Sequence, residues 1–193
     1  MRQFTSLTDP QLVDSLNNGG VVVLPTDTVY GIVARADDQK AVERMYRLRG
    51  RAPEKPFIIL VADRWQIADA ELWTDEHRAL ASKYWPGPLS LVAPTSGKTP
   101  EYLHRGTHTL AYRIPDSPEL RKLLSATGPL IAPSANPENL PTATSLAEAQ
   151  AYFGDQVDGY VDGGVIADHA PSTVAGIQGG KVHIFRQGAL RIL

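Results

Sequence analysis

Arg47-Leu48-Arg49-Gly50-Arg51-Ala52-Pro53-Glu54-Lys55-Pro56 places four cations within nine positions. Guanidinium and ammonium groups so close together can clamp a polyphosphate. They also suit a solvated cluster at a helix C-terminus, where cations are favoured. Upstream, Pro25-Thr26-Asp27-Thr28-Val29-Tyr30-Gly31 follows an apolar run. In an extended segment the hydroxyls of Thr26 and Thr28 face one side. Pro133-Ser134-Ala135-Asn136 is a second polar turn after an apolar run, and Pro171-Ser172-Thr173-Val174 leads a hydroxyl pair into a third. Ser and Asn here can bond phosphate oxygens, or their own backbone. Arg186 and Gly188 close the series.

Several other chemistries are excluded by type. There is no cysteine, so thiolate nucleophiles, disulfides and zinc-thiolate sites are ruled out. His77, His104, His108, His169 and His183 are scattered and show no metal-ligand spacing. G-x-x-x-x-G-K-[ST], G-x-G-x-x-G, H-E-x-x-H and G-x-S-x-G are all missing. What remains is a set of polar loops placed after apolar runs.

The elements that must position these groups alternate along the chain. Helices are predicted over Thr8–Asn18, Gln39–Leu48, Asp75–Tyr84, Ser117–Ser125 and Ser145–Phe153. Thr8 is expected to cap the first, with Pro10 in its first turn and Gly19-Gly20 as its stop. Ser117 with Pro118 starts the fourth, and Ser145 with Glu148 reads as a capping box. Strands are predicted over Val21–Leu24, Phe57–Ala62, Leu89–Ala93, Thr109–Ile114 and Leu130–Ala132. Thr173–Ile177 and Lys181–Phe185 flank Gln178-Gly179-Gly180 as a hairpin. This order predicts an α/β fold with a mixed, twisted open sheet and flanking helices. In such sheets ligands bind beyond strand ends, where the polar turns fall.

The 193 residues suit one domain, 1–193, with 42% hydrophobic and 21% charged residues. A net charge of −2 argues against strong non-specific nucleic-acid binding. No apolar run approaches the roughly 20 residues of a membrane span, so no membrane association is expected. The opening Met1–Ser6 lacks the apolar stretch of a signal peptide, so a cytoplasmic location is expected.

Jointly the motifs are more specific than singly. P-T-D-T-V-Y-G, R-x-R with K-P, W-P-G-P-L-S-L-V over Trp85–Val92, A-Y-R-I-P over Ala111–Pro115, P-S-A-N, P-S-T-V and F-R-Q-G run in order from Gly20 to Gly188. This set resembles the YrdC-like threonylcarbamoyl-AMP synthases of the short, single-domain type. The resemblance implies a twisted open α/β sheet enclosing a positively charged cavity. It implies ATP, bicarbonate and L-threonine as substrates, with Mg²⁺ carried by the ATP phosphates and no metal site of the protein's own. It places threonine at Thr28, Arg113, the backbone of Ala132, and Ser172. It places ATP at Arg51, Lys55, Thr109, Ser134, Asn136, Thr142 and Arg186, with Arg49 and Arg51 as the catalytic pair. A threonine carbamate would attack the α-phosphate and expel pyrophosphate. The product would pass to a threonylcarbamoyl transferase complex that modifies adenosine 37 of tRNA.

Three departures stand out. Arg49 replaces the family lysine, Pro137-Glu138-Asn139 replaces Leu-Ser-Gly, and Ala175 stands where an acidic residue is usual. Leu60 also replaces a histidine of some longer members. Two other readings keep the fold. One is a non-catalytic RNA-binding module with weak RNA affinity. The other is a paralogue acting on another carbamoyl or carboxylate substrate.

Overall fold

The computed structural model describes residues 2–166 and 170–193. One mixed sheet of ten strands has the order β1-β8-β2-β3-β7-β4-β6-β5-β9-β10. The strands are β1 Gln3–Phe4, β2 Val22–Pro25, β3 Tyr30–Arg35, β4 Ile58–Leu60, β5 Leu89–Pro94, β6 Thr109–Arg113, β7 Leu130–Ile131, β8 Gly159–Val161, β9 Thr173–Gln178 and β10 Lys181–Arg186. The helices are α1 Pro10–Asn17, α2 Gln39–Arg49, α3 Asp75–Tyr84, α4 Glu101–His104, α5 Pro118–Thr127 and α6 Leu146–Phe153.

Alternation along β2 sends side chains into two cores. Val23 joins Tyr30, Ile32, Met45, Leu80 and Phe153 in the core covered by α2, α3 and α6. Val22 and Leu24 join Leu12, Leu16, Leu120 and Leu124 beneath α1 and α5. The mixed, open α/β sheet with flanking helices expected from the sequence is present. Leu60 is fully buried in the second core, which explains an apolar residue there.

Several local expectations change. Asp9, not Thr8, caps α1; its carboxylate accepts from Gln11 N–H. Ser145 caps α6, but Glu148 reaches Thr144 N–H and Oγ1 rather than Ser145, so the reciprocal half of the box is displaced by one residue. β3 is an addition, its first two residues, Tyr30-Gly31, being the end of the polar loop read from the sequence. It pairs antiparallel with β2, with Leu24 opposite Gly31, so the polar segment between them is a hairpin turn. β1, β8 and α4 are also additions, each too short to show a period. Helix α2 continues one residue past Leu48 to Arg49. The cationic segment is therefore half helix and half loop. Among the described residues no helix is long and apolar enough to cross a membrane.

Candidate active site

Six chain segments meet at one rim of the sheet. They are the β2–β3 turn, the C-terminus of α2 with its following loop, the end of β6, the turn after β7, the entry to β9 and the exit of β10. They enclose a cavity of about 230 Å³ lined by Thr26, Thr28, Arg49, Arg51, Arg113, Ala132, Ser134, Thr142, Ser172 and Arg186, among others. A second compartment of about 270 Å³ shares Arg51, Phe57 and Arg186 and adds Thr109, Leu110, Val174 and Phe185. Together they fall in the size range of small-ligand sites, about 300–1,000 Å³. A larger depression of about 1040 Å³ lies at the opposite end of β3. Its charges are mixed, and Arg35 is spent on Asp37 and Asn17, so it makes a poor anion site.

The arginine pair is set by the end of α2. Gly50 is left-handed, φ 58° and ψ 29°, a conformation glycine adopts without strain. Its N–H reaches Arg47 O at 3.2 Å, and Arg51 N–H reaches Tyr46 O at 3.2 Å. This is the Schellman ending of a helix. Arg49 is thus helical and Arg51 lies beyond the helix end, yet both side chains line the cavity. Arg49 is buried, and its Nε donates to Asn136 O at 2.7 Å. Burial, then the charge of Arg51, lowers its pKa to about 10. Arg51 Nε donates to Lys55 O at 3.1 Å and its Nη2 to Pro56 O at 3.3 Å.

On the threonine side of the expected site, Thr28 is buried with its hydroxyl 3.2 Å from that of Thr26. The two hydroxyls converge because the segment turns, not because it is extended. Arg113 Nη1 is ion-paired with Asp27 Oδ1. Its Nε is buried with no hydrogen-bond partner among the described residues. Ala132 N–H is taken by Ile58 O at 2.9 Å, so its carbonyl is the group it can offer. Ser172 is buried, with Oγ 2.8 Å from Ser90 Oγ. Arg186 Nη2 donates to Ser172 O at 2.8 Å. Surrounding protein, then the charges of Arg113 and Arg51, lower the Arg186 pKa, although its side chain is open to the cavity mouth. Gly188 is needed for this approach, because a Cβ there would lie 2.1 Å from Pro171 O.

On the expected nucleotide side, Ser134 and Thr142 line the main cavity and Thr109 the second. Asn136 stands behind them. Its Oδ1 accepts from Ser134 Oγ at 2.6 Å, and its Nδ2 donates to Pro137 O and Leu140 O. It braces the turn. Lys55 does not reach the wall; its ammonium pairs with Glu138 at 3.3 Å. Glu138 also accepts from Ala52 N–H at 3.0 Å, so the altered turn after Asn136 ties down the cationic loop. Sequence reading missed Asp27, Ser90, Phe57 and Glu138. Asp27 and Ser90 lay inside motifs already singled out and Glu138 in the altered turn after Asn136, whereas Phe57 stood only in a predicted strand.

Strand ends of an open α/β sheet here surround hydroxyls and four arginines, of which Arg113 is paired with Asp27, with no carboxylate among the described lining residues; such groups suit anions. The chain belongs to the Sua5/YciO/YrdC family. The family profile, described as Sua5_yciO_yrdC, telomere recombination, matches residues 14–188. A threonylcarbamoyl-AMP synthase of Stutzerimonas stutzeri is 33% identical, covering 89% of this chain and 94% of that protein. A threonylcarbamoyl-AMP synthase of Pyrococcus abyssi is 34% identical over 91% of this chain, which spans 52% of that longer protein. A crystal structure of P. abyssi Sua5 complexed with L-threonine superposes with a TM-score of 0.88 at 31% identity, covering 98% of this chain and 57% of that one.

Proposed function

We propose that this chain is a threonylcarbamoyl-AMP synthase, which joins ATP, bicarbonate and L-threonine into threonylcarbamoyl-AMP and releases pyrophosphate. The observation that carries the reading is the meeting of Arg49, Arg51, Arg113 and Arg186 with Thr28, Ser134, Thr142 and Ser172 around one cavity. Arg49 is buried without a carboxylate partner among the described residues, and Arg51 and Arg186 open onto the same cavity, an arrangement that an anion would complete. Threonine and a triphosphate both supply that anion.

In this assignment Arg113 takes the threonine carboxylate with its free guanidinium edge, and the Thr28 and Ser172 hydroxyls orient the amino acid. Threonine carbamate, formed when the amine adds to bicarbonate-derived CO₂, presents an oxygen to the α-phosphorus. The new O–P bond forms as the bond to pyrophosphate breaks. Arg49 and Arg51 neutralise the phosphates as charge shifts to the leaving group. Ser134 and Thr142 hold the phosphates from the opposite wall. The base and ribose occupy the second compartment between Thr109, Val174 and Phe185. ATP brings its own Mg²⁺. A lining of hydroxyls and carbonyls without carboxylates suits an ion held by phosphates and water. Lys55 joins the nucleotide only if it leaves Glu138. The adenylate then passes, in the cytoplasm, to a transferase complex acting on tRNA.

The test is pyrophosphate release by the purified chain with MgATP and bicarbonate, with and without L-threonine. Release that depends on threonine supports the assignment. Equal release without it overturns the assignment.

A further inference from the structure

A column of stacked side chains runs from the surface to the cavity wall. The Arg105 guanidinium carbon sits 4.0 Å above the Tyr46 ring centroid. Tyr46 and Phe57 stack with centroids 4.2 Å apart and planes 33° apart. The Arg51 guanidinium carbon lies 5.3 Å from the far ring, Phe57. Both rings are buried. At the outer end Arg105 Nη2 lies 2.8 Å from Glu43 Oε1, outside hydrogen-bond alignment, because Nη2 and Nε are buried without a hydrogen-bond partner among the described residues. The Glu43 carboxylate and the Tyr46 face are therefore the two partners of that cation. The column is also stitched to the loop that carries Arg51. Tyr46 Oη donates to Lys55 O at 2.9 Å, and the same carbonyl accepts from Arg51 Nε at 3.1 Å.

We propose that Tyr46 and Arg105 are positioning residues for Arg51, fixing its guanidinium at the cavity wall before any anion arrives. The physical case is one of entropy. A free arginine carries about 2 kcal/mol of rotamer freedom, which an anion would otherwise have to freeze out. A flat face beneath the guanidinium and two carbonyls at its edge remove most of that freedom in advance. Arg105 keeps the face in place from behind: it covers Tyr46, and Tyr46 covers Phe57. Neither residue reaches the cavity, so neither touches a substrate.

The role in catalysis rests on the synthase assignment, but the positioning can be read without it. NMR of the Arg51 Nε–H in the ligand-free chain reports its order and its exchange with water. Tyr46→Leu and Arg105→Met should each speed that exchange between about 2- and 30-fold, the span of a cation–π contact. Tyr46→Phe keeps the rings and should stay within about twofold of wild type. Unchanged Arg51 exchange in Tyr46→Leu or in Arg105→Met overturns the proposal. So does an equal loss in Tyr46→Phe and Tyr46→Leu, which would assign the effect to the hydroxyl. If Tyr46→Leu does not fold, Arg105→Met decides alone. In the synthase assay both variants should raise KM for ATP by a similar factor and leave KM for threonine unchanged. An equal rise in both constants means general collapse of the cavity and counts against the column. A wild-type chain without threonine-dependent turnover would overturn the synthase assignment, and the NMR result would still decide the positioning.

Discussion

Arg113 and Asp27 form an ion pair at the inner wall of the cavity, with only 4% and 6% of their side-chain surface exposed. Asp27 also accepts from Asp116 N–H through its other oxygen at 2.9 Å. The carboxylate therefore holds one end of the guanidinium and leaves Nε free. Removing the cation altogether strands a buried carboxylate, which costs about 3–5 kcal/mol. Arg113→Ala is thus expected to lower stability as well as threonine use. Arg113→Lys keeps the charge but loses the fork. It should keep most of the stability and raise KM for threonine at least tenfold, with KM for ATP within about threefold. Steady-state kinetics in both substrates beside a urea melt checks this; equal changes in both constants would make Arg113 a structural residue only.

Arg51 differs, because its charge faces the cavity and its edge rests on two backbone carbonyls. A charge-assisted bond to phosphate is worth about 1.5–3 kcal/mol, so Arg51→Ala should cut synthesis by roughly 10- to 150-fold. The melting temperature should barely move, since no buried carboxylate depends on it. Wild-type turnover in this variant would remove Arg51 from the nucleotide site.

The buried Arg49 sets stability against function. Its folded pKa of about 10 lies below the ordinary arginine range, so the charge costs stability wherever both states are protonated. That cost is fully present below about pH 10. It fades as pH rises above about 10, because the folded chain has released a proton that the unfolded chain still holds. Arg49→Met gives up the bond to Asn136 O, worth about 1 kcal/mol, and sheds a larger desolvation cost. Without ligand it should match or exceed wild type by about 1–2 kcal/mol at pH 8, with the lead narrowing at pH 10.5, while synthesis is lost. Urea unfolding at both pH values decides; a variant less stable than wild type at pH 8 refutes the sign.

How far these relationships were legible in the sequence depended on distance along the chain. The Val21–Leu24 run and the cap at Ser117 are local, and their pattern carried them. The β2–β3 hairpin was hidden because Tyr30-Gly31 looked like the end of a polar motif rather than the first residues of a strand. The arginines of the site were visible by type. Their partners were not, because Arg113 finds Asp27 86 positions away and Ala52 finds Glu138 86 positions away. Lys55 had the right charge and the right neighbourhood. What no spacing could show is that Glu138 would turn it from the cavity.

His77 gives a test of the scaffold alone. It is buried at the start of α3, and its Nδ1 accepts from Thr74 N–H at 3.3 Å and lies 3.0 Å from Thr74 Oγ1. Burial lowers its pKa, outweighing the bond to the Val92 backbone. Its unfolded value is about 6.5. Below that pH the unfolded chain takes up a proton that the folded chain refuses, so stability falls as pH drops through 6.5 toward the folded value. Above 6.5 the group has no effect. One such histidine contributes a slope of at most about 1.4 kcal/mol per pH unit. The wild-type chain should therefore lose stability from pH 6.5 to 5, and His77→Gln should lose less over the same range, though it starts lower for want of the ring's packing. Chemical denaturation at pH 7.5, 6.5, 5.75 and 5 measures both slopes. Parallel slopes would show that His77 is protonated in the fold, and that the cap of α3 tolerates its charge.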